Sequence, residues 1–99
     1  MQGYRLSKEA QDDLTKIKNY SRMNWGDQQT KEHLSEIKDS LEKLVISPEL
    51  GKMRDEIIEG LRSLGVGRHI IFYRLCKTEI EVARILQKRM DVTRHFGGF

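Results

Sequence analysis

One cysteine, one proline and seven aromatic residues in 99 positions exclude several kinds of protein at once. The lone Cys76 cannot build an internal disulfide framework and fits a reducing, cytoplasmic setting. Only three histidines, His33, His69 and His95, are scattered along the chain, so no structural zinc site is expected and no cofactor is implied. No apolar run approaches the roughly 18 residues of a membrane span, so no membrane partner is expected. The opening Met1-Gln2-Gly3-Tyr4-Arg5 is not a signal peptide. Hydrophobic residues at 37% and charged residues at 33% leave a somewhat polar chain, yet its aliphatic residues recur too regularly for disorder. Residues 1–99 therefore read as one domain with a thin core and no room for a large substrate cavity. Function is expected on the surface.

The net charge of +3 is unevenly spread. Residues 1–59 carry ten Lys/Arg against twelve Asp/Glu, whereas residues 60–99 carry eight against three. An anionic partner is therefore expected toward the C-terminal part, unless the excess is only solubilising charge.

Tyr4-Arg5-Leu6 reads as a short extended start, and Ser7 as a helix N-cap whose hydroxyl takes a free backbone N–H. Ala10, Leu14, Ile17 and Tyr20 then share one helical face, and the helix is predicted to run to about Asn24 with Gly26 as its stop. Asp27 is placed to cap a second helix, with Leu34, Ile37, Leu41, Leu44 and Val45 as its apolar stripe and Pro48 as its end. Joined by Trp25-Gly26-Asp27, the two predict an antiparallel hairpin whose Tyr20 and Trp25 close the core. Beyond Gly51 the periodicity becomes that of strands. Leu61–Leu64, Arg68–Leu75 and Glu79–Leu86 are predicted, with turns at Gly65-Val66-Gly67 and Cys76-Lys77-Thr78. Contiguous Ile70, Ile71, Phe72 and Tyr73 imply a central strand covered on both faces. In the last strand Ile80, Val82, Arg84 and Leu86 alternate with Glu81, Ala83 and Ile85. One more helical turn is predicted near residues 88–96, with Gly97-Gly98-Phe99 fraying. The order β-α-α-β-β-β gives an α+β fold, a helical hairpin packed on a small antiparallel sheet.

Little of this looks catalytic. Asp12/Asp13 and Asp55/Glu56 are chain neighbours that point apart, and Cys76 lacks the surroundings of a nucleophile. Gly65-Val66-Gly67 has neither the lysine nor the Ser/Thr of a phosphate loop. Arg62, Arg68, Arg74, Arg84 and Arg89 on or beside the strands could hold phosphate, with His69 or His95 as acid or base. The competing reading pairs them with Glu79, Glu81 and Asp91 and leaves Arg84 half-buried and structural.

Several segments together resemble a known family. The opening Leu6-Ser7-Lys8-Glu9-Ala10, Trp25-Gly26 between helices, and Ile57 with Glu59-Gly60-Leu61-Arg62 are similar to the RelE/ParE superfamily of bacterial toxins. The strand His69-Ile70-Ile71-Phe72-Tyr73-Arg74 and the tail Arg84-Ile85-Leu86-Gln87-Lys88-Arg89-Met90-Asp91 resemble its ParE branch. The resemblance spans Tyr4 to about Phe96 and implies one toxin domain of a type II toxin–antitoxin module, with the family's fold. It implies a toxin that traps the cleaved-DNA complex of DNA gyrase without catalysis of its own, neutralised by a ParD-like antitoxin. Candidate target contacts are then Arg62, Arg84, Arg89, Arg94 and His95, and candidate antitoxin contacts are Leu14, Ile17, Leu34, Ile37 and Leu41. The alternative is a RelE-like, ribosome-dependent mRNA endoribonuclease. His95 and the arginines would serve it, although the tail lacks that branch's tyrosine and the sheet its dense lysine run.

Overall fold

The chain opens with a four-residue strand, β1 (Gly3–Leu6), and turns at Ser7 straight into a helix. In the computed structural model, residues 1–90 and 92–96 are described, the last group without the side chains of Val92 and Thr93. Ser7 explains the sharp entry. Its hydroxyl accepts the Ala10 N–H at 3.0 Å and donates to the Ala83 carbonyl at 2.8 Å, while its own N–H donates to the Val82 carbonyl. One side chain thus caps the helix and ties it to the sheet.

The helix α1 (Lys8–Ile46) is interrupted at Gly26, whose φ of 81° and ψ of 177° belong to a region that only glycine occupies at low cost. Gly26 thereby divides the predicted two arms. Asp27 makes no capping bond in the structure; its carboxylate pairs with Arg22 at 3.1 Å, and the Thr30 hydroxyl donates to the Gly26 carbonyl. Ala10 and Ile17 of the first arm and Ile37, Leu41 and Leu44 of the second enter one core. The Met1 ammonium reaches the Val45 carbonyl at 3.1 Å, so the second arm returns to the chain start and the arms are antiparallel. Pro48 follows the C-cap Ser47 and begins a short 3-10 turn (Pro48–Leu50).

The sheet holds β1, β2 (Lys52–Met53), β3 (Arg62–Val66), β4 (His69–Leu75) and β5 (Glu79–Gln87). Its order is β1-β5-β4-β3-β2, with β1 parallel to β5 and every other pair antiparallel. The predicted three-strand meander is therefore the centre of a mixed five-stranded sheet. β1 joins beside β5 because the chain crosses back over one face through α1, and β2 was too short to show a period. Gly65 and Val66 stay paired in β3, leaving Gly67 (φ 57°) and Arg68 to make the turn.

Both faces of β4 are covered, as its apolar run implies. The larger core packs Val66, Ile71, Tyr73, Ile80, Val82 and Ile85 against the hairpin. A smaller one joins Leu61, Phe72, Ala83, Leu86 and Phe96 on the other face, with Phe96 edge-on to Phe72 at 5.2 Å between centroids. The helical turn α2 (Val92–His95) delivers Phe96, which contributes about 2 kcal/mol by burial. The fraying expected of Gly97–Phe99 lies outside the described residues.

Regular alternation places Arg84 and Leu86 on the face of Ile80 and Val82, and here the structure corrects the sequence. Val82 lies opposite Tyr73 and Arg84 opposite Phe72, so Ala83 is one residue too many and β5 carries a bulge. Past the bulge Ile85 faces the hairpin, and Leu86 faces the smaller core.

Candidate functional site

The bulge determines what Arg84 does. β1 pairs with β5 only as far as Val82, so the Ile85 N–H lies on an edge beside the first arm of α1. Asp13, a buried carboxylate on that arm, accepts this N–H at 3.0 Å and takes Arg84 Nε and Nη2 at 2.8 Å each. Arg84 Nη1 donates to the His95 carbonyl at 3.1 Å. The fork is saturated on one side, and its hydrogen bond to Asp13 raises the guanidinium pKa further. Asp13, which beside Asp12 reads from the sequence as part of a solvated helix face, is instead buried in this clasp, and Arg84 pins α2 and α1 to the sheet.

The other arginines separate. Arg62 donates to the carbonyls of Glu49 and Gly51, holding the 3-10 turn against β3. Arg74 pairs with Glu81, and Glu81 also pairs with Arg5. Burial raises the Glu81 carboxyl, but the bonds and charges of Arg74 and Arg5 outweigh it and leave its pKa below the ordinary value. Arg94 is exposed on α2, and His95 is half-buried beside Arg84. Arg89 is exposed beyond β5, where Nε donates to Gln87. Only Arg84 and His95 of the five candidate target contacts are thus brought together. Asp91, the third expected arginine partner, lies outside the described residues.

At the Gly26 end of the molecule a different group converges. Tyr20 and Trp25 stand edge to face at 5.7 Å and are 45% and 37% exposed, so they do not close the core as expected. The Arg68 guanidinium sits 4.8 Å over the Trp25 ring, a cation–π contact that fixes both groups. Lys88 and Arg89 complete an open cleft of about 330 Å³, lined by no carboxylate among the described residues. The sequence signal lay in two facts: the apolar stripe of the first arm runs out at Tyr20, and Lys88-Arg89 follows directly where β5 ends.

Beneath this cleft, His33 Nε2 and His69 Nδ1 lie 2.9 Å apart and link the second arm to β4. His69 Nε2 is buried with no hydrogen-bond partner, so a second ring proton has no acceptor. Burial, then the neighbouring His33, pushes the His69 pKa down to about 4, and the ring is neutral at pH 7. Among the described residues no three His, Cys, Asp or Glu side chains converge as metal ligands do. No helix of the described residues is long and apolar enough to cross a membrane.

Where the hairpin meets β1, Tyr4, Leu6, Leu14, Leu34, Ile37 and Leu41 line an apolar groove of about 350 Å³ edged by Lys18 and Lys38. Leu14 and Leu34 are half-buried and form its walls, whereas Ile37 and Leu41 are almost wholly buried and form its floor. Ile17, the remaining candidate antitoxin contact, lies in the core and beside the cleft that holds Arg84 and His95.

Comparison with known proteins covers nearly the whole chain. Residues 4–92 match the family described as the ParE toxin of the type II toxin–antitoxin system, parDE. The chain is 32% identical over 97 residues to Toxin ParE1 of Caulobacter vibrioides, covering 98% of this chain and 100% of that protein. It is 37% identical over 93 residues to Toxin ParE1 of Mycobacterium tuberculosis, covering 93% of this chain and 95% of that one. Its fold is similar to a chain of the chromosomal ParDE TA system from P. aeruginosa, with a TM-score of 0.76 at 20% identity over 88% of this chain and 96% of that one.

Proposed function

Since the chain belongs to the ParE toxin family of type II toxin–antitoxin systems, we propose that it acts by binding DNA gyrase and holding its cleaved-DNA complex, without breaking a bond itself. A toxin of this kind needs only to bind one state of its target better than the others, because preferential binding shifts the population toward that state. The observation that carries the reading is the contrast between the two arginine environments. Arg84, beside His95, is saturated by Asp13 and a backbone carbonyl, whereas Arg68, Lys88 and Arg89 form no ion pair among the described residues. The free cations thus lie beside aromatic rings and a histidine that is neutral at pH 7, equipment for gripping an anionic complex rather than for proton transfer.

A ParD-like antitoxin is the proposed neutralising partner, and the hairpin groove is its proposed seat. Half-buried Leu14 and Leu34 over the floor of Ile37 and Leu41 suit the apolar face of an antitoxin segment that folds on binding. Lys18 and Lys38 at the rim favour acidic residues on its flanks. Leu14→Glu or Leu34→Glu, both at half-buried sites, is expected to weaken the complex while leaving gyrase inhibition in place.

The functional test is a supercoiling and cleavage assay with purified gyrase. Loss of supercoiling together with accumulated linear DNA supports the reading. Full supercoiling at micromolar toxin, with transcripts cut on translating ribosomes instead, replaces it with the endoribonuclease.

A further inference from the structure

We propose that the cleft beside Gly26 holds one unstacked nucleotide of a single-stranded nucleic acid, its base stacked on the face of one of the perpendicular rings of Tyr20 and Trp25 and edge-on to the other, and its phosphate on Lys88 and Arg89. Three observations converge there. Tyr20 and Trp25 present a large aromatic surface to solvent, and the Tyr20 edge contact and the Arg68 guanidinium hold it rigid. Lys88 and Arg89 are exposed and, with Arg68, make no ion pair among the described residues, so Lys88 and Arg89 can meet phosphate while Arg68 stays on Trp25. Among the described residues no carboxylate lines this cleft; Glu32 and Glu36 line the neighbouring one, which shares Trp25 and Arg68 with it.

This combination selects among anionic partners. A duplex offers phosphates but keeps its base faces stacked, so it cannot use the two rings. An acidic peptide meets the cations without needing a flat π surface. A single strand uses both, since any base stacks on an aromatic ring and the backbone follows the positive charge. The room is adequate, because about 330 Å³ falls in the range of small-ligand sites. The inference rests on the gyrase–DNA reading in one respect: an opened DNA complex would supply the unstacked strand.

Trp25 is the sole tryptophan, so its fluorescence reports directly on the cleft. The purified chain, without gyrase, is titrated at low salt with an oligothymidylate of about a dozen nucleotides, the matching oligouridylate, a duplex and poly-glutamate. Saturable quenching by the single strands, weak or absent with the duplex and poly-glutamate, is expected. Equal binding of the two oligonucleotides supports the same chemistry and shows that the sugar is not read. Tyr20→Ala, and Trp25→Ala followed by anisotropy of a labelled strand, should weaken binding by about five-fold or more, the effect of one lost stacking partner. Lys88→Gln and Arg89→Gln alter exposed side chains, keep the fold, and should each lower the salt-dependence slope by about 0.7. Absence of quenching at about 100 μM strand overturns the proposal, as does equal binding of duplex or poly-glutamate. Unchanged affinity in both aromatic variants overturns it too. A chain that inhibits gyrase yet ignores the single strands loses this inference alone and keeps the proposed function.

Discussion

Replacing Asp13 with alanine removes the acceptor of three hydrogen bonds at one buried position: two from the Arg84 fork and one from the Ile85 N–H. Asp13 is 6% exposed and the Arg84 side chain 15%, so water cannot replace the carboxylate. Breaking a buried ion pair from one side costs about 3–5 kcal/mol, because the surviving charge stays uncompensated. A domain of this size has roughly 5–15 kcal/mol of stability in total. Thermal unfolding should therefore fall by at least about 12 °C, taking about 4 °C per kcal/mol as the low end for a chain of this length. The double variant Asp13→Leu with Arg84→Met removes both charges and should recover most of that loss, since apolar replacements of a buried pair are often neutral or better. Circular dichroism melts of Asp13→Leu, Arg84→Met and the double variant form the cycle, with Asp13→Ala measured beside them. If Asp13→Ala melts within about 1 kcal/mol of the wild type, Arg84 is not held as described and returns to the list of target contacts.

Three further outcomes follow from particular geometries. Gly26→Ala should destabilise by about 1–3 kcal/mol, because alanine cannot easily adopt φ 81° with ψ 177°; in a continuous helix the same change would stabilise, so the sign of the melting shift decides. Below pH 6.5 the unfolded chain takes up a proton on His69 that the folded chain refuses until about pH 4, so stability falls as pH falls through that window, by about 3 kcal/mol in all. His69→Gln should flatten urea midpoints measured between those limits. Tyr73→Phe leaves the buried Gly51 N–H and the Pro48 carbonyl without the hydroxyl that now bonds both at 2.8 Å, and should cost about 1–3 kcal/mol in chemical denaturation.

The fold was legible wherever a period was strong. The stripe from Ala10 to Tyr20, the stripe from Leu34 to Val45 and the run Ile70–Tyr73 each placed an element, because burial on one face or two leaves a direct mark in the order of residues. Parallel pairing of β1 was hidden, since it depends on a chain that returns only after the 39 residues of α1. The Ala83 bulge was hidden as well. Alternation across Glu79–Gln87 looks unbroken until the Ser7 N–H and hydroxyl take two successive carbonyls of β5, a contact between residues 76 apart in the case of Ala83. That single irregularity moved Arg84 from a shared apolar face to the Asp13 clasp. Trp25 and Tyr20 read as the end of a core because aromatic residues near a turn commonly close one; Arg68, delivered by the β3–β4 turn, instead stacks on Trp25 outside it. Such contacts join distant segments and leave no periodic trace.

The claim on which the rest depends is that this chain arrests a larger enzyme by binding it, and it is tested most directly by incubating the purified chain with gyrase, ATP and relaxed plasmid. Protein-linked linear DNA should accumulate as supercoiled product disappears, and the antitoxin added first should abolish both effects. Normal supercoiling with no trapped DNA at micromolar toxin would contradict it.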